Sequence, residues 1–80
     1  MDYKLQNELR DAGYNGGFLL EELIEACGHG FGAMERIVIQ GKPIFTAGIY
    51  VDRNGDIERG QEGETPTEAV AKLWISMNKK

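Results

Sequence analysis

The chain has 80 residues, a mass of 8.9 kDa and a net charge of −4, enough for one small domain and no second core. With 41% hydrophobic and 28% charged residues it matches a folded globular protein and not a disordered one. Thirteen acidic against nine basic residues disfavour nucleic acid, where a Lys/Arg patch normally supplies the affinity.

No apolar run approaches the roughly 20 residues of a membrane helix. Met1-Asp2-Tyr3-Lys4 lacks the basic and apolar regions of a signal peptide, so a cytoplasmic protein without membrane contact is expected. Cys27 is the single cysteine and cannot form an internal disulfide.

In chain order, Leu5, Leu9 and Ala12 predict a first helix over 3–12, with Asp2 as its cap and Gly13 as its left-handed stop. Asn15-Gly16-Gly17 reads as a break, so 1–17 is expected to be a helical extension and 18–80 a single domain. Leu19, Leu20, Leu23, Ile24 and Cys27 predict a second helix over 18–27, with Glu21, Glu22 and Glu25 on its polar side. Gly28 to Gly32 reads as a loop.

A strand is expected over 36–40 with Ile37 and Ile39 on one face, then a turn at Gly41-Lys42-Pro43 and a strand over 44–51. Gly48 marks a bulge or a close approach in that strand. Arg53-Asn54-Gly55 is a turn with two possible registers. A two-residue loop sends Val51 and Ile57 to opposite faces. A three-residue loop sets them opposite each other and is preferred, at the cost of placing Asp52 across from Asp56. The third strand is expected over 56–59, and 60–64 reads as polar loop.

Thr65-Pro66-Thr67-Glu68 is a strong helix start, with Thr65 as N-cap, Pro66 at N1 and Glu68 closing a capping box. Val70, Leu73, Trp74 and Met77 give the best amphipathic repeat in the chain. The expected fold is α+β, order α-α-β-β-β-α: a three-stranded antiparallel meander covered by the second and third helices. The opposite sheet face then carries Arg36, Val38, Ile44, Thr46 and Tyr50, and is only half polar.

Several constellations invite chemistry. Cys27-Gly28-His29 suggests a nucleophile or half a metal site. The helix C-terminus opposes a thiolate there, and two ligands are too few unless Glu25 or a second chain adds one, so a buried cysteine beside a turn explains the residues as well. Gly28-x-Gly30-x-Gly32 has a helix before it and a strand after it, the reverse of a dinucleotide fingerprint. Asp52-Arg53-Asn54-Gly55-Asp56 begins like a calcium loop, but the required glycine falls on Ile57 and the bidentate acid on Gly63. Glu21, Glu22 and Glu25 read as a solvated helix face. No catalytic residue, metal ligand or cofactor site is expected.

The acidic stretch from Asp52 to Glu68 offers more. Tyr50, Asp52, Asp56, Glu58, Glu62 and Glu64 form a candidate surface for a protein partner with a basic face. The competing explanation is a solvated loop followed by the acid preference of a helix start.

The run Glu64-Thr65-Pro66-Thr67-Glu68-Ala69-Val70-Ala71-Lys72-Leu73-Trp74, ending Asn78-Lys79-Lys80, resembles the C-termini of small phage and prophage proteins. Leu20-Glu21-Glu22-Leu23-Ile24-Glu25-Ala26-Cys27-Gly28 resembles their leading helix, and Met1 to Gly17 departs from the pattern. The resemblance implies a phage-type accessory protein of the host cytoplasm that binds a host or phage protein. Defence-system inhibitors such as anti-CRISPR proteins are similar in size, acidity and lack of catalytic residues. The alternative is a self-associating structural protein, a homodimer joined along an edge strand or an uncovered sheet face. The third is a small enzyme or metal protein using Cys27 and His29.

Overall fold

The computed structural model describes residues 3–28, 31–51, 53–54, 57–58 and 60–78. Helix α1 spans Tyr3–Asp11 and ends as its sequence predicts. Gly13 takes φ 100°. Its N–H donates to the Arg10 carbonyl (3.0 Å) and that of Tyr14 to the Leu9 carbonyl (2.9 Å), the paired bonds of a Schellman stop. Leu9 and Tyr14, the residues this stop brings together, are both buried.

Helix α2 spans Leu20–Cys27, two residues shorter at its start than expected. Gly16 and Gly17 carry no capping side chain. The helix begins where the Glu22 carboxylate reaches back to accept the Leu19 N–H (3.3 Å). Phe18, ahead of the helix, packs its ring 5.9 Å from Tyr14 and lies under the Arg10 guanidinium at 5.6 Å.

Strands β1 (Ala33–Ile39) and β2 (Lys42–Gly48) form an antiparallel hairpin, with Ile39 opposite Lys42 and Ala33 opposite Gly48. The turn is Gln40-Gly41, not the expected Gly41-Lys42-Pro43. Gln40 (φ 52°) and Gly41 (φ 79°) both adopt the left-handed region, as a two-residue hairpin loop requires. Pro43 therefore stands inside β2, opposite Val38. Pairs alternate outward from the bonded closing pair, so Pro43 occupies a non-bonded position and its missing N–H removes nothing from the ladder.

Strands β3 (Tyr50–Val51) and β4 (Ile57–Glu58) pair with Val51 opposite Ile57, the register preferred for a three-residue loop. The third strand of the main sheet is β5 (Gln61–Gly63), which pairs with Phe45–Ala47 to give the order β1-β2-β5. That segment was expected to be loop and carries no β-forming residue pattern. The two ladders nevertheless share one register. Advancing from Phe45 to Val51 on one arm retreats by the same number of residues, from Gly63 to Ile57, on the other. The expected third strand is thus the tip of one hairpin whose base is β5. Beyond the interruption at Gly48-Ile49, β4 comes back beside β1 and β2. The class is α+β with an antiparallel meander, as expected.

Helix α3 spans Pro66–Asn78 and starts with the Glu68 N–H donating to Thr65 Oγ1 (3.1 Å). The Glu68 carboxylate accepts the Glu64 N–H (3.2 Å), one residue upstream of the partner expected in a capping box. This helix is the centre of the molecule. It packs on β2 and β5 on one side and on α1 and α2 on the other. That explains why Ala69 and Ala71 are buried together with Val70 and Leu73. The sheet is covered by α3, with α2 packed mainly on α3 and not spread across the sheet as expected. Leu5, Leu9 and Tyr14 from the 1–17 segment join Leu23, Cys27, Ala47, Val70 and Leu73 in one core cluster.

Candidate functional site

The alternation of β1 and β2 decides which residues α3 covers. Ala47 is fully buried, and Phe45 and Met34 pack on the core, so the face carrying Met34, Arg36, Val38, Phe45 and Ala47 looks toward the helix. The other face carries Glu35, Ile37, Ile39, Lys42, Ile44, Thr46 and Glu62. This corrects the expected assignment. Ile37 and Ile39 belong to the outer face with Ile44 and Thr46, and Arg36 and Val38 to the helix-facing side. The pattern misled because apolar residues populate both faces of 37–39.

The turn-side half of the hairpin projects past α3. Ile37, Val38 and Ile39 are 38%, 58% and 49% exposed, so both faces of β1 present apolar side chains to solvent there. Every residue from Glu35 to Ile39 is exposed. Among the described residues β1 is also an edge strand, pairing only with β2 in its sheet. An exposed apolar edge strand is a ready template for another chain, one that natural sheets usually blunt. The signal was legible as three consecutive apolar residues, a run too short and too close to a turn for a strand buried on both faces.

Of the acidic candidates, Glu62 and Glu64 are exposed. Glu62 stands opposite Thr46 on the outer face, and Glu64 follows β5 at the start of α3. Tyr50 and Glu58 are cross-strand partners in the β3–β4 ribbon, though their side chains lie outside what is described. Asp52 and Asp56 lie outside the described residues, as does His29. The structure therefore brings Glu62 onto the same face as Glu35, Ile37 and Ile39.

Cys27 is buried at the end of α2, and burial pushes its thiol up to about 11. A nucleophilic or metal-binding cysteine needs the opposite shift. Among the described residues no cluster of three His, Cys, Asp or Glu could hold a metal ion. No described helix is long and apolar enough to cross a membrane.

A hollow of about 410 Å³, open to solvent, lies between the Tyr14–Gly17 turn, α2 and Trp74. Glu22 and Glu25 border it. The Tyr14 hydroxyl donates to the Gly17 carbonyl, which anchors the turn. Burial, then the charge of Glu22, then Cys27 hold the Tyr14 phenol above its ordinary range. Tyr14 thus closes the turn and Glu22 caps α2. Compared with family models, curated proteins and solved structures, the chain matches none.

Proposed function

We propose that the chain is a phage-type accessory protein that acts by binding another protein, through the uncovered turn-side half of its sheet. The observation that carries this reading is the exposure of Ile37, Val38 and Ile39 on an edge strand. Burying apolar surface of this kind is the main favourable term in protein association. Exposed Glu35 and Glu62 border the outer face, and the chain is acidic throughout, which selects a partner with a basic surface and speeds encounter. The resemblance to small phage and prophage proteins supports action in a host cytoplasm. Inhibition of a host defence component, in the manner of anti-CRISPR proteins, is the form such binding takes in this reading.

The test is affinity capture from a bacterial host lysate with the purified full chain as bait. Wild type retains a defined partner, Ile39→Lys loses it, and Glu62→Lys with Glu64→Lys weakens retention most at low salt. Equal retention by wild type and both variants overturns the reading. Self-association is the second reading, and the position of β1 at the edge of the described sheet favours it.

A further inference from the structure

We infer that the hollow between the Tyr14–Gly17 turn, α2 and Trp74 receives an arginine side chain carried by a partner protein. The site lies on the side of α3 where α1 and α2 pack, away from the sheet, so the inference goes beyond the proposed function and does not rest on it.

The charge of the hollow is one-sided. Glu22 and Glu25 stand three residues apart on one face of α2, and both border it. Among the described residues that line it there is no base. Arg10 lies over the Phe18 ring and does not line it. The cleft between α1 and α3 is different: Lys4 and Lys72 border it together with Glu8 and Glu68, so it balances its own charge. Tyr14 registers the negative potential of the hollow, because the charge of Glu22 adds to burial in raising its phenol.

The wall is aromatic and the rim is bare. Tyr14 and Trp74 supply the wall. A Cβ at Gly16 would fall 2.6 Å from the Tyr14 hydroxyl, and one at Gly17 would press on the Glu22 carboxylate. The two glycines thus let both groups hold their places and leave a mouth without side chains. A cation that enters meets an indole and two carboxylates.

Arginine uses this arrangement best. Its guanidinium is planar and weakly hydrated, stacks on aromatic rings, and presents its N–H donors as a fork. One Glu22 oxygen already accepts the Leu19 N–H, so the fork bridges the second oxygen and the exposed Glu25 carboxylate. An ammonium is a compact, strongly hydrated charge and stacks less well. The hollow is open to solvent and cannot enclose roughly 70–90% of a small ligand's surface, as small-molecule sites do. A side chain projecting from a larger surface suits it, because that surface supplies the missing wall.

The test is titration of the full chain at low salt with a capped Ala-Arg-Ala peptide to about 20 mM, since one side chain held this way binds in the millimolar range. Trp74 is the chain's single tryptophan, so its fluorescence reads the hollow directly. The arginine peptide gives a saturable change. The citrulline peptide, of the same shape without the charge, gives none, and the lysine peptide binds more weakly. Glu25→Gln weakens the arginine peptide by about threefold, the worth of one exposed ion pair. Glu22→Gln does the same while still offering an oxygen to the Leu19 N–H, so the circular dichroism spectrum is unchanged. Ile39→Lys, on the sheet, leaves the titration as it is. No saturation by the wild type, an equal response to the citrulline or lysine peptide, or unchanged binding by both glutamine variants overturns the inference. So does a response to guanidinium chloride as strong as to the peptide, which makes the hollow a site for small cations. Lysate capture with Ile39→Lys decides the sheet reading and this titration decides the hollow, so either falls without the other.

Discussion

The ring of Tyr14 meets the indole of Trp74 edge-on, with centroids 5.2 Å apart and planes at 69°. This contact ties the residue that closes the α1 stop to the middle of α3. Aromatic pairs in this geometry couple by about 0.5–1.5 kcal/mol beyond the area they bury. A double-mutant cycle with Tyr14→Leu and Trp74→Leu, read by urea unfolding, is expected to return a coupling in that range. Trp74 is only partly buried, whereas Leu73 beside it is fully buried. Leu73→Ala is therefore expected to cost about 2–5 kcal/mol, and Trp74→Ala less than the about 3–5 kcal/mol of a fully enclosed indole. A Trp74→Ala variant less stable than Leu73→Ala would contradict the placement of the ring.

Gly63 lies hard against the start of α3. A Cβ added there would lie 2.6 Å from the Ala69 backbone nitrogen and 2.8 Å from Glu68 Cβ. Backbone cannot yield as a flexible side-chain tip can, so Gly63→Ala is expected to push β5 away from the start of α3 and cost about 1–3 kcal/mol. Gly13→Ala tests a different cause. Space around Gly13 is open, but its φ of 100° strains any L residue, and the substitution is expected to cost about 1 kcal/mol. Amide exchange separates the two. Gly63→Ala should speed exchange across β5 and its pairing with Phe45–Ala47, and Gly13→Ala at the end of α1.

Cys27 and Tyr14 make stability fall at alkaline pH. Burial raises the Cys27 thiol from 9.0 to about 11, and burial with the charge of Glu22 raises the Tyr14 phenol. Both groups favour the protonated form more strongly in the folded chain than in the unfolded one. The Cys27 contribution is complete below pH 9 and drains away as pH rises from 9 through about 11, and the Tyr14 contribution is complete below pH 10 and falls above it. Urea titrations at pH 8, 9, 10 and 11 should show a falling limb, and Cys27→Val should flatten part of it. At pH 8 the folded thiol should react with iodoacetamide about a hundredfold more slowly than the unfolded chain, on the thiolate fraction alone. Equal rates in the two states would remove the cysteine from the core.

Where local chemistry was decisive, the fold was legible in the residues. Gly13 needs φ > 0 and ends α1, and Thr65 supplies the oxygen that starts α3. Val51 and Ile57 are the apolar pair that selects the register of the ribbon. The central place of α3 was not legible, because Ala69 and Ala71 are compatible with burial or exposure and only the tertiary arrangement decides. β5 was hidden for a related reason. Gln61-Glu62-Gly63 forms a strand through the register inherited from β3–β4, not through any propensity of its own. The candidate surface was half legible. Its acidity is a matter of counting, but the exposure of Ile37 and Ile39 follows from their lying on the face that α3 does not cover, and apolar residues at 37, 38 and 39 populate both faces, so no pattern within β1 says which one the helix takes.

The Gln40-Gly41 turn leaves room for improvement in the sequence itself. Gln40 holds a φ of 52°, a region that asparagine visits far more readily because its short side chain bonds to the local backbone. Asn-Gly is the preferred pair for such a loop, so Gln40→Asn removes strain without altering a ladder contact. The variant is expected to gain on the order of 0.5–1 kcal/mol in urea unfolding. Gln40→Val, β-branched and ill-suited to positive φ, should lose a comparable amount. A Gln40→Asn variant less stable than wild type would show that the turn closes one residue later, at the Gly41-Lys42-Pro43 position read from the pattern alone.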